Sequence, residues 1–140
     1  MADTHKFLIL LFLASVLAGC DSLDRTDPQN FQLTIAATPE SLLIGEFSSI
    51  TATLNSVGSS GSTTTATGST TTTPVSGFPV TFTITQNVSG CTITVVNSIT
   101  DSSGIATALY KAGTVAGIDI IQASIENGKS ASVGILVKLQ

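Results

Sequence analysis

The chain has few of the side chains that most enzyme active sites use. Its 140 residues contain one histidine, two cysteines and no tryptophan. The histidine, His5, lies in an N-terminal segment that we expect to be removed from the mature protein. Without histidine, Ser-His-acid and Cys-His catalysis lack their base, and zinc sites built from histidine and cysteine lack a ligand. We therefore predict a non-enzymatic chain with no catalytic residue, no metal and no cofactor.

Positive charge is also scarce. Five lysines and arginines stand against nine aspartates and glutamates, which gives a formal net charge of −4 at pH 7. Because nucleic-acid binding depends on a basic patch, we expect no nucleic-acid partner. Acid–base chemistry by a carboxylate pair stays open, with Asp101 and Asp119 as the residues that would carry it. The acids are scattered along the sequence, so we favour surface and turn positions for them.

No apolar run is long enough to span a bilayer. The run from Phe7 to Ala18 is well short of the roughly 20 residues that a transmembrane helix needs. It follows Lys6 and precedes a polar, acidic stretch, as the apolar core of a secretion signal does. We predict a signal peptide over residues 1–19 and a polar tether over residues 20–30.

The end of this run, Leu17-Ala18-Gly19-Cys20, resembles the lipobox of bacterial lipoproteins. The resemblance implies that cleavage leaves Cys20 as the first residue, with diacylglycerol on its thiol. Each buried methylene of an acyl chain adds about 0.8 kcal/mol, so two or three chains hold a domain on a membrane almost permanently. We expect a lipid-anchored protein of the bacterial cell envelope. The alternative is an ordinary signal peptide with a chance cysteine.

The residue after the anchor bears on which membrane holds the protein. Asp21 resembles the signal that retains lipoproteins in the inner membrane of some enteric bacteria. That rule varies between bacterial groups. Inner membrane, outer membrane and exposed surface therefore all stay open.

The second cysteine, Cys91, is an unpaired cysteine in an exported chain. It opens the alternating run Cys91, Ile93, Val95, where a cysteine can serve as a small buried hydrophobe, and we favour that interpretation. A disulfide with another chain and a reactive thiol are the alternatives.

Short runs in which apolar and polar residues alternate dominate the rest of the sequence, which indicates strands with one buried face. The runs are Phe31–Ala37, Ile50–Leu54, Val80–Ile84, Cys91–Val95, Ile105–Tyr110, Ile118–Glu126 and Ala131–Leu139. Asn127-Gly128 predicts a type I′ turn that joins the last two runs in a hairpin. About seven strands without helical periodicity predict an all-β fold, an immunoglobulin-like antiparallel sandwich over residues 31–140, rather than an open barrel or jelly roll.

A stretch rich in Ser, Thr and Gly interrupts this pattern at residues 55–77. It has too few apolar residues to offset the entropy of ordering, so we interpret it as a long mobile loop inserted between two strands. Threonine favours strands, and a loose hairpin extension is the alternative. A tolerated low-complexity insertion is more consistent with its composition than glycosylation or partner contact.

A family resemblance covers most of residues 31–139. The segments that carry it are Ala37-Thr38-Pro39, Gly45–Leu54, Pro79-Val80-Thr81-Phe82, Thr100–Ala106 and Gly117 with Ala123. Together they resemble the bacterial immunoglobulin-like domain of group 1, the repeat of intimin and invasin. In the most specific piece, Thr-Asp-x-x-Gly-x-Ala, Gly104 permits the tight turn and Ala106 and Ala108 begin the next inward face.

The resemblance implies a rigid spacer or adhesive module without catalytic residues. Three features depart from the family pattern: the Thr-rich insertion, Tyr110 at a place usually aliphatic, and Asp119 where a larger residue is common. Our leading hypothesis is a lipid-anchored envelope module that contacts an envelope or extracellular protein or glycan through its loops or an edge strand. The alternative is a structural accessory subunit of a periplasmic or outer-membrane assembly.

Overall fold

The computed structural model describes residues 30–59 and 70–140. Within these residues nine strands follow one another: β1 (Phe31–Thr38), β2 (Ser41–Leu43), β3 (Phe47–Ser59), β4 (Thr70–Pro74), β5 (Thr81–Gln86), β6 (Thr92–Asn97), β7 (Ile105–Lys111), β8 (Gly117–Ser124) and β9 (Ser130–Lys138). In this part of the chain no helix combines the length and apolar character that crossing a membrane requires.

The strands form two sheets that pack face to face. One sheet has the order β1-β3-β7-β6, with β4 paired to the far part of β3, and the other has the order β2-β9-β8-β5. All pairs are antiparallel except β2 with β9. The first order matches strands A-B-E-D of an immunoglobulin fold, and β9-β8-β5 matches G-F-C. The predicted immunoglobulin-like sandwich is therefore confirmed, with nine strands instead of about seven.

The core lies between the two sheets and comes from the inward positions of the alternating runs. Ile50, Ala52 and Leu54 of β3 are fully buried, as are Ile121 of β8 and Ile135 of β9. The predicted inward positions Ala106 and Ala108 are also buried, at 0% and 2% exposed. Period-two alternation thus identified the buried face of each of these strands.

Two additional strands account for the difference in number. β2 begins at Ser41, three residues after β1 ends at Thr38, and pairs with the last strand. β4 lies inside the predicted insertion at residues 55–77 and pairs with Asn55–Ser59 of β3. Where the structure describes the insertion, the hairpin alternative holds rather than the loop. Residues 60–69, at its centre, lie outside the described residues.

The last hairpin forms as predicted, but its turn lies one residue earlier than predicted. Ser124 of β8 pairs with Ser130 of β9, and the N–H of Gly128 donates to the carbonyl of Ile125 at 3.0 Å. The central turn residues are therefore Glu126 and Asn127, and Gly128 follows with φ +85°. This is the arrangement of a type I turn with a G1 bulge, so the predicted type I′ turn at Asn127-Gly128 is wrong.

Candidate functional site

Three loops meet at one end of the sandwich. Residues 44–46 join β2 to β3, residues 87–91 join β5 to β6, and residues 112–116 join β7 to β8. We call these three loops the loop platform. It lies at the end where β3 begins and β7 ends, since Phe47 pairs with Lys111.

A buried carboxylate lies beneath the loop platform. Asp119, on β8, is 0% exposed. Its Oδ1 accepts hydrogen bonds from the backbone N–H groups of Val88 (2.6 Å) and Ser89 (2.9 Å). Its Oδ2 accepts hydrogen bonds from the hydroxyls of Ser89 and Tyr110, both at 2.5 Å. One side chain of β8 therefore holds the loop at 87–91 and, through Tyr110, strand β7 of the opposite sheet.

The surroundings set the charge state of this cluster. Burial by itself would raise the pKa of Asp119, but the hydrogen bonds that the carboxylate accepts outweigh burial and lower the pKa below its ordinary value of 3.8. Burial, and then the hydrogen bond to Asp119, raise the pKa of Tyr110. At neutral pH an ionised acceptor therefore faces neutral donors, the combination that gives strong hydrogen bonds.

Cys91 belongs to the same region and is free, buried and 4% exposed, which confirms the prediction of burial. Burial, followed by the charge of Asp119, raises the pKa of the Cys91 thiol to about 11. Because the thiolate is the reactive form of cysteine, this thiol is inert at neutral pH. Its main chain is fixed by Asn87, whose side chain accepts from the Cys91 N–H at 2.8 Å and donates to the Cys91 carbonyl at 3.2 Å.

Backbone hydrogen bonds join the three loops to one another. The carbonyl of Ser89 accepts from the N–H of Thr114 at 2.9 Å, and the hydroxyl of Ser89 accepts from the N–H of Gly113 at 3.0 Å. The carbonyl of Gly113 in turn accepts from the N–H of Gly45 at 3.2 Å. The approach at Gly113 is so close that a Cβ there would lie 1.8 Å from the Ser89 carbonyl oxygen. Only glycine fits this position.

The platform exposes large apolar side chains at its surface. Val88 is 44% exposed, Val115 is 54% exposed, and Phe47, which follows the first loop, is 54% exposed. The ammonium of Lys111 lies 5.6 Å from the centroid of the Phe47 ring, within cation–π range. The N–H of Val115 is directed at the Ser89 carbonyl at 3.3 Å, which places the two valine-bearing loops side by side.

The loop platform and the first strand residue lie at opposite ends of the sandwich. Ser48 on β3 faces Tyr110 at the platform end, whereas Ser56 on β3 faces Phe31. Eight steps of about 3.4 Å separate Ser48 from Ser56, which is about 27 Å. A chain that enters at Phe31 therefore presents the platform at its far end.

Tyr110 and Asp119, two of the residues that differ from the repeat that the sequence resembles, contact each other. Tyr110 and Asp119 occupy inward positions on strands of different sheets, and their side chains form one buried hydrogen bond. The surface or turn position that we favoured for Asp119 is therefore wrong. The sequence carried a signal for its burial, because Asp119 lies two and four residues before the buried Ile121 and Ala123 on the same strand. The third member, Ser89, lies in an irregular loop where no periodic pattern marks it.

The candidate carboxylate pair does not assemble. The backbone N–H of Asp101 donates to the carbonyl of Ile105, at the start of β7, while Asp119 contacts Tyr110 five residues further along the same strand. That spacing is about 17 Å in an extended strand. Carboxylates that work as a pair in glycoside hydrolysis lie about 5–9.5 Å apart. Asp101 instead accepts hydrogen bonds from the N–H groups of Ser103 and Ile105 and shapes its own turn.

The predicted anchor residues Leu17, Ala18, Gly19 and Cys20 lie outside the described residues, as do the signal peptide and all but the last residue of the tether. Their roles stay predictions.

Comparisons with known proteins give a likeness among solved structures. No protein-family model matches the chain, and no curated protein matches it. Among solved structures, the chain is similar to the adhesin InvE of Yersinia pseudotuberculosis, with a TM-score of 0.47 and 23% sequence identity. The likeness covers 78% of this chain and 27% of that one. The fold assignment rests on the strand order of the two sheets rather than on this similarity.

Proposed function

We propose that the chain is a non-enzymatic, lipid-anchored module of the bacterial cell envelope that contacts a partner through its loop platform. The proposal rests on one observation. Hydrogen bonds at Asp119, Ser89 and Gly113 hold the three loops together, and apolar side chains are exposed on the surface of these loops. Loops on a rigid scaffold commonly carry recognition. Loops already fixed before binding lose less entropy when a partner docks.

In the arrangement that we propose, the lipid anchor and the loop platform lie at opposite ends of the sandwich. Lipid on Cys20 would hold the start of the tether at a membrane, and the tether enters the sandwich at Phe31. The platform is at the other end and would point away from that membrane. This arrangement supports contact with a molecule beyond the surface that holds the anchor.

The exposed side chains favour a protein over a glycan as the partner. Val88 and Val115 present no hydrogen-bonding group, whereas a glycan surface is rich in hydroxyls that need partners. Apolar and aromatic side chains are common at the centres of protein interfaces.

Site-specific photocrosslinking in intact cells tests the contact. A photoreactive amino acid replaces Val115 in the full chain, and a matched variant carries it at Thr83, an exposed position of β5 away from the platform. We expect discrete adducts from position 115 only. Equal adducts from both positions, or none from position 115, would overturn the platform as the contact surface. Co-purification of the adduct partner at fixed stoichiometry would favour the accessory-subunit alternative.

A separate experiment tests the anchor. Cells that produce the full chain are fed labelled palmitate, and the variant Cys20→Ala is the control. We expect label on the parent chain and retention in the membrane fraction, and loss of both in Cys20→Ala. Equal membrane retention of the unlabelled variant would contradict lipid anchoring.

A further inference from the structure

The turn that joins β8 to β9 contains Asn127, the only asparagine of the chain that precedes a glycine. The other asparagines, Asn30, Asn55, Asn87 and Asn97, each precede a residue with a side chain. Because glycine has no Cβ, its backbone nitrogen can approach the side-chain amide of the preceding residue without steric hindrance. This turn is therefore the place where the backbone can most readily attack a side-chain amide of the same chain.

The amide of Asn127 is hydrogen-bonded on one side only. Its Oδ1 accepts from the N–H of Lys129 at 3.3 Å. Its Nδ2 is buried and meets no acceptor among residues 30–59 and 70–140. The bond to Oδ1 draws electron density from the amide carbon Cγ and stabilises negative charge on the oxygen when Cγ is attacked. A buried donor without an acceptor is costly, so it also lowers the stability of the closed turn.

Two backbone hydrogen bonds keep the turn closed. The N–H of Gly128 donates to the carbonyl of Ile125, and the N–H of Ile125 donates to the carbonyl of Lys129, both at 3.0 Å. In the closed turn the Gly128 nitrogen is thus directed at Ile125 and not at the Asn127 side chain. Glu126 and Gly128 are exposed, and Lys129 lines an open groove, so water reaches the turn. Attack on Asn127 therefore requires local opening of the turn.

We propose that Asn127 is a deamidation site, that opening of this turn controls the reaction, and that the isoaspartate product loosens the last hairpin. In the open turn the backbone nitrogen of Gly128 bonds to Cγ of Asn127 and closes a succinimide ring. The bond from Cγ to Nδ2 breaks, and Nδ2 leaves as ammonia with the proton of the Gly128 amide. Water then opens the ring at either carbonyl and leaves aspartate or isoaspartate at position 127.

The isoaspartate product does not fit the closed turn. Isoaspartate carries the backbone through its side chain and so lengthens the main chain by an atom, next to a new carboxylate. The turn has no slack for this change, since Ser124 pairs with Ser130 directly before it and Ile125 within it is only 5% exposed. We expect Ile125 to lose protection. The loop platform lies at the other end of β8 and should stay unchanged.

Three other asparagines serve as controls within the same chain. Both amide atoms of Asn87 are bonded to the main chain of Cys91. Asn55 lies in β3 where this strand pairs with both β1 and β4. The Oδ1 of Asn97 accepts from the N–H of Ile99 at 3.2 Å. Hydrogen bonds or strand pairing thus hold each of them, and a side chain follows each in the sequence.

Peptide mass spectrometry of the full chain after incubation at neutral pH tests the site. The folded parent is compared with the parent in guanidinium chloride and with Asn127→Gln, whose longer side chain forms the corresponding ring far more slowly. In the folded parent we expect the mass gain of deamidation at position 127 and not at Asn55, Asn87 or Asn97. In denaturant we expect a several-fold faster gain at 127, and in Asn127→Gln none.

Three results would overturn the site or its control by the turn. The first is a folded chain that stays unmodified at 127 while the denatured chain converts. The second is an equally fast gain at Asn87 or Asn97 in the folded chain. The third is an equal rate at 127 in the folded and denatured chains, which would mean that the turn does not control the reaction.

Amide hydrogen exchange of the isolated isoaspartate form tests the effect on the hairpin. The matched control is Asn127→Asp, which adds the charge without the additional backbone atom. We expect faster exchange at the N–H of Ile125 in the isoaspartate form than in Asn127→Asp, with unchanged exchange at Val88 and Ser89 in the loop platform. Equal exchange of Ile125 in the two forms would overturn the loosening of the hairpin.

Discussion

At the scale of single residues, the buried Asp119 is the feature that most distinguishes this domain. A buried carboxylate is costly unless its oxygens are satisfied, and here four donors from three residues point at it. Removal of one donor does not simply delete a contact, since it weakens the compensation for a charge that stays buried. The cluster therefore acts as a unit.

Tyr110→Phe tests that unit with little change in packing. The ring stays in the core, and only the hydroxyl that donates to Asp119 is lost. Hydrogen bonds to charged groups contribute about 1.5–3 kcal/mol, so we expect the free energy of unfolding to fall by that amount. Urea unfolding followed by circular dichroism measures it. An unchanged free energy of unfolding would mean that the Tyr110–Asp119 bond adds no net stability.

The same residues predict how stability depends on pH. The pKa of Asp119 lies below its ordinary 3.8 in the folded chain, so its contribution is full above about pH 5 and is lost as pH falls through the folded-state value. The pKa values of Cys91 and Tyr110 are raised from 9.0 and 10.0, so their contributions are lost as pH rises beyond those values.

Urea midpoints measured from acid to alkaline pH should therefore form a plateau between two falling limbs. In Asp119→Asn we expect lower stability throughout and a shallower acid limb. If stability fell as steeply at acid pH in that variant as in the parent chain, carboxylates other than Asp119 would be the cause of the fall.

At the scale of elements, the three platform loops depend on a close approach between two backbone segments of the chain, at Ser89 and Gly113. Gly113 lies against the Ser89 carbonyl, and that carbonyl also accepts from the next loop residues. Any side chain at position 113 would separate the loops at 87–91 and 112–116. The platform is therefore sensitive to a substitution that elsewhere in a strand or loop would be mild.

Gly113→Ala should lower the free energy of unfolding by about 1–3 kcal/mol, the range for forced overpacking. The matched control is Gly134→Ala on β9, where a Cβ would meet the Ile118 side chain at an ordinary 3.7 Å. We expect the control to be neutral or to stabilise by up to about 1 kcal/mol, because strand glycines cost conformational entropy. Equal effects of the two substitutions would contradict the close approach.

The features of the fold that depend on local periodicity could be predicted from the sequence. Alternation identified the inward faces of β3, β5 and β7, and the glycine of Thr-Asp-x-x-Gly-x-Ala indeed has a positive φ, +74° at Gly104. β2 is only three residues long and exists through its pairing with β9, so no local pattern marks it. The Asp119 cluster joins β8, β7 and a loop, and only the tertiary fold shows that Ser89 and Tyr110 meet there.

At the scale of the whole molecule, the two ends of the sandwich have different characters. One end receives the predicted tether at Phe31, and the other carries the braced platform with Phe47, Val88 and Val115 exposed. A single rigid sandwich of this kind can hold a contact surface about 27 Å from its point of entry. That is a suitable geometry for a surface module on a lipid anchor.

The double variant with Val88→Asp and Val115→Asp tests whether the two exposed valines of the loop platform serve partner contact rather than folding. Both side chains are substantially exposed, so we expect the free energy of unfolding to change by less than about 0.5 kcal/mol per site. Crosslinking from a photoreactive residue at Phe47 should fall at least about tenfold, which corresponds to 1.4 kcal/mol of binding free energy. Unchanged crosslinking in a folded double variant would show that Val88 and Val115 lie outside the contact surface.

The most direct test of the central claim, that Asp119 fixes the loop platform, is amide hydrogen exchange of the parent chain and Asp119→Asn. In the parent chain we predict slow exchange at the N–H groups of Val88, Ser89 and Thr114, because each is bonded within the cluster. In Asp119→Asn we predict fast exchange at these amides while core amides of β3 and β7 keep their protection. Platform amides that already exchange fast in the parent chain, or that are equally slow in the variant, would contradict the account.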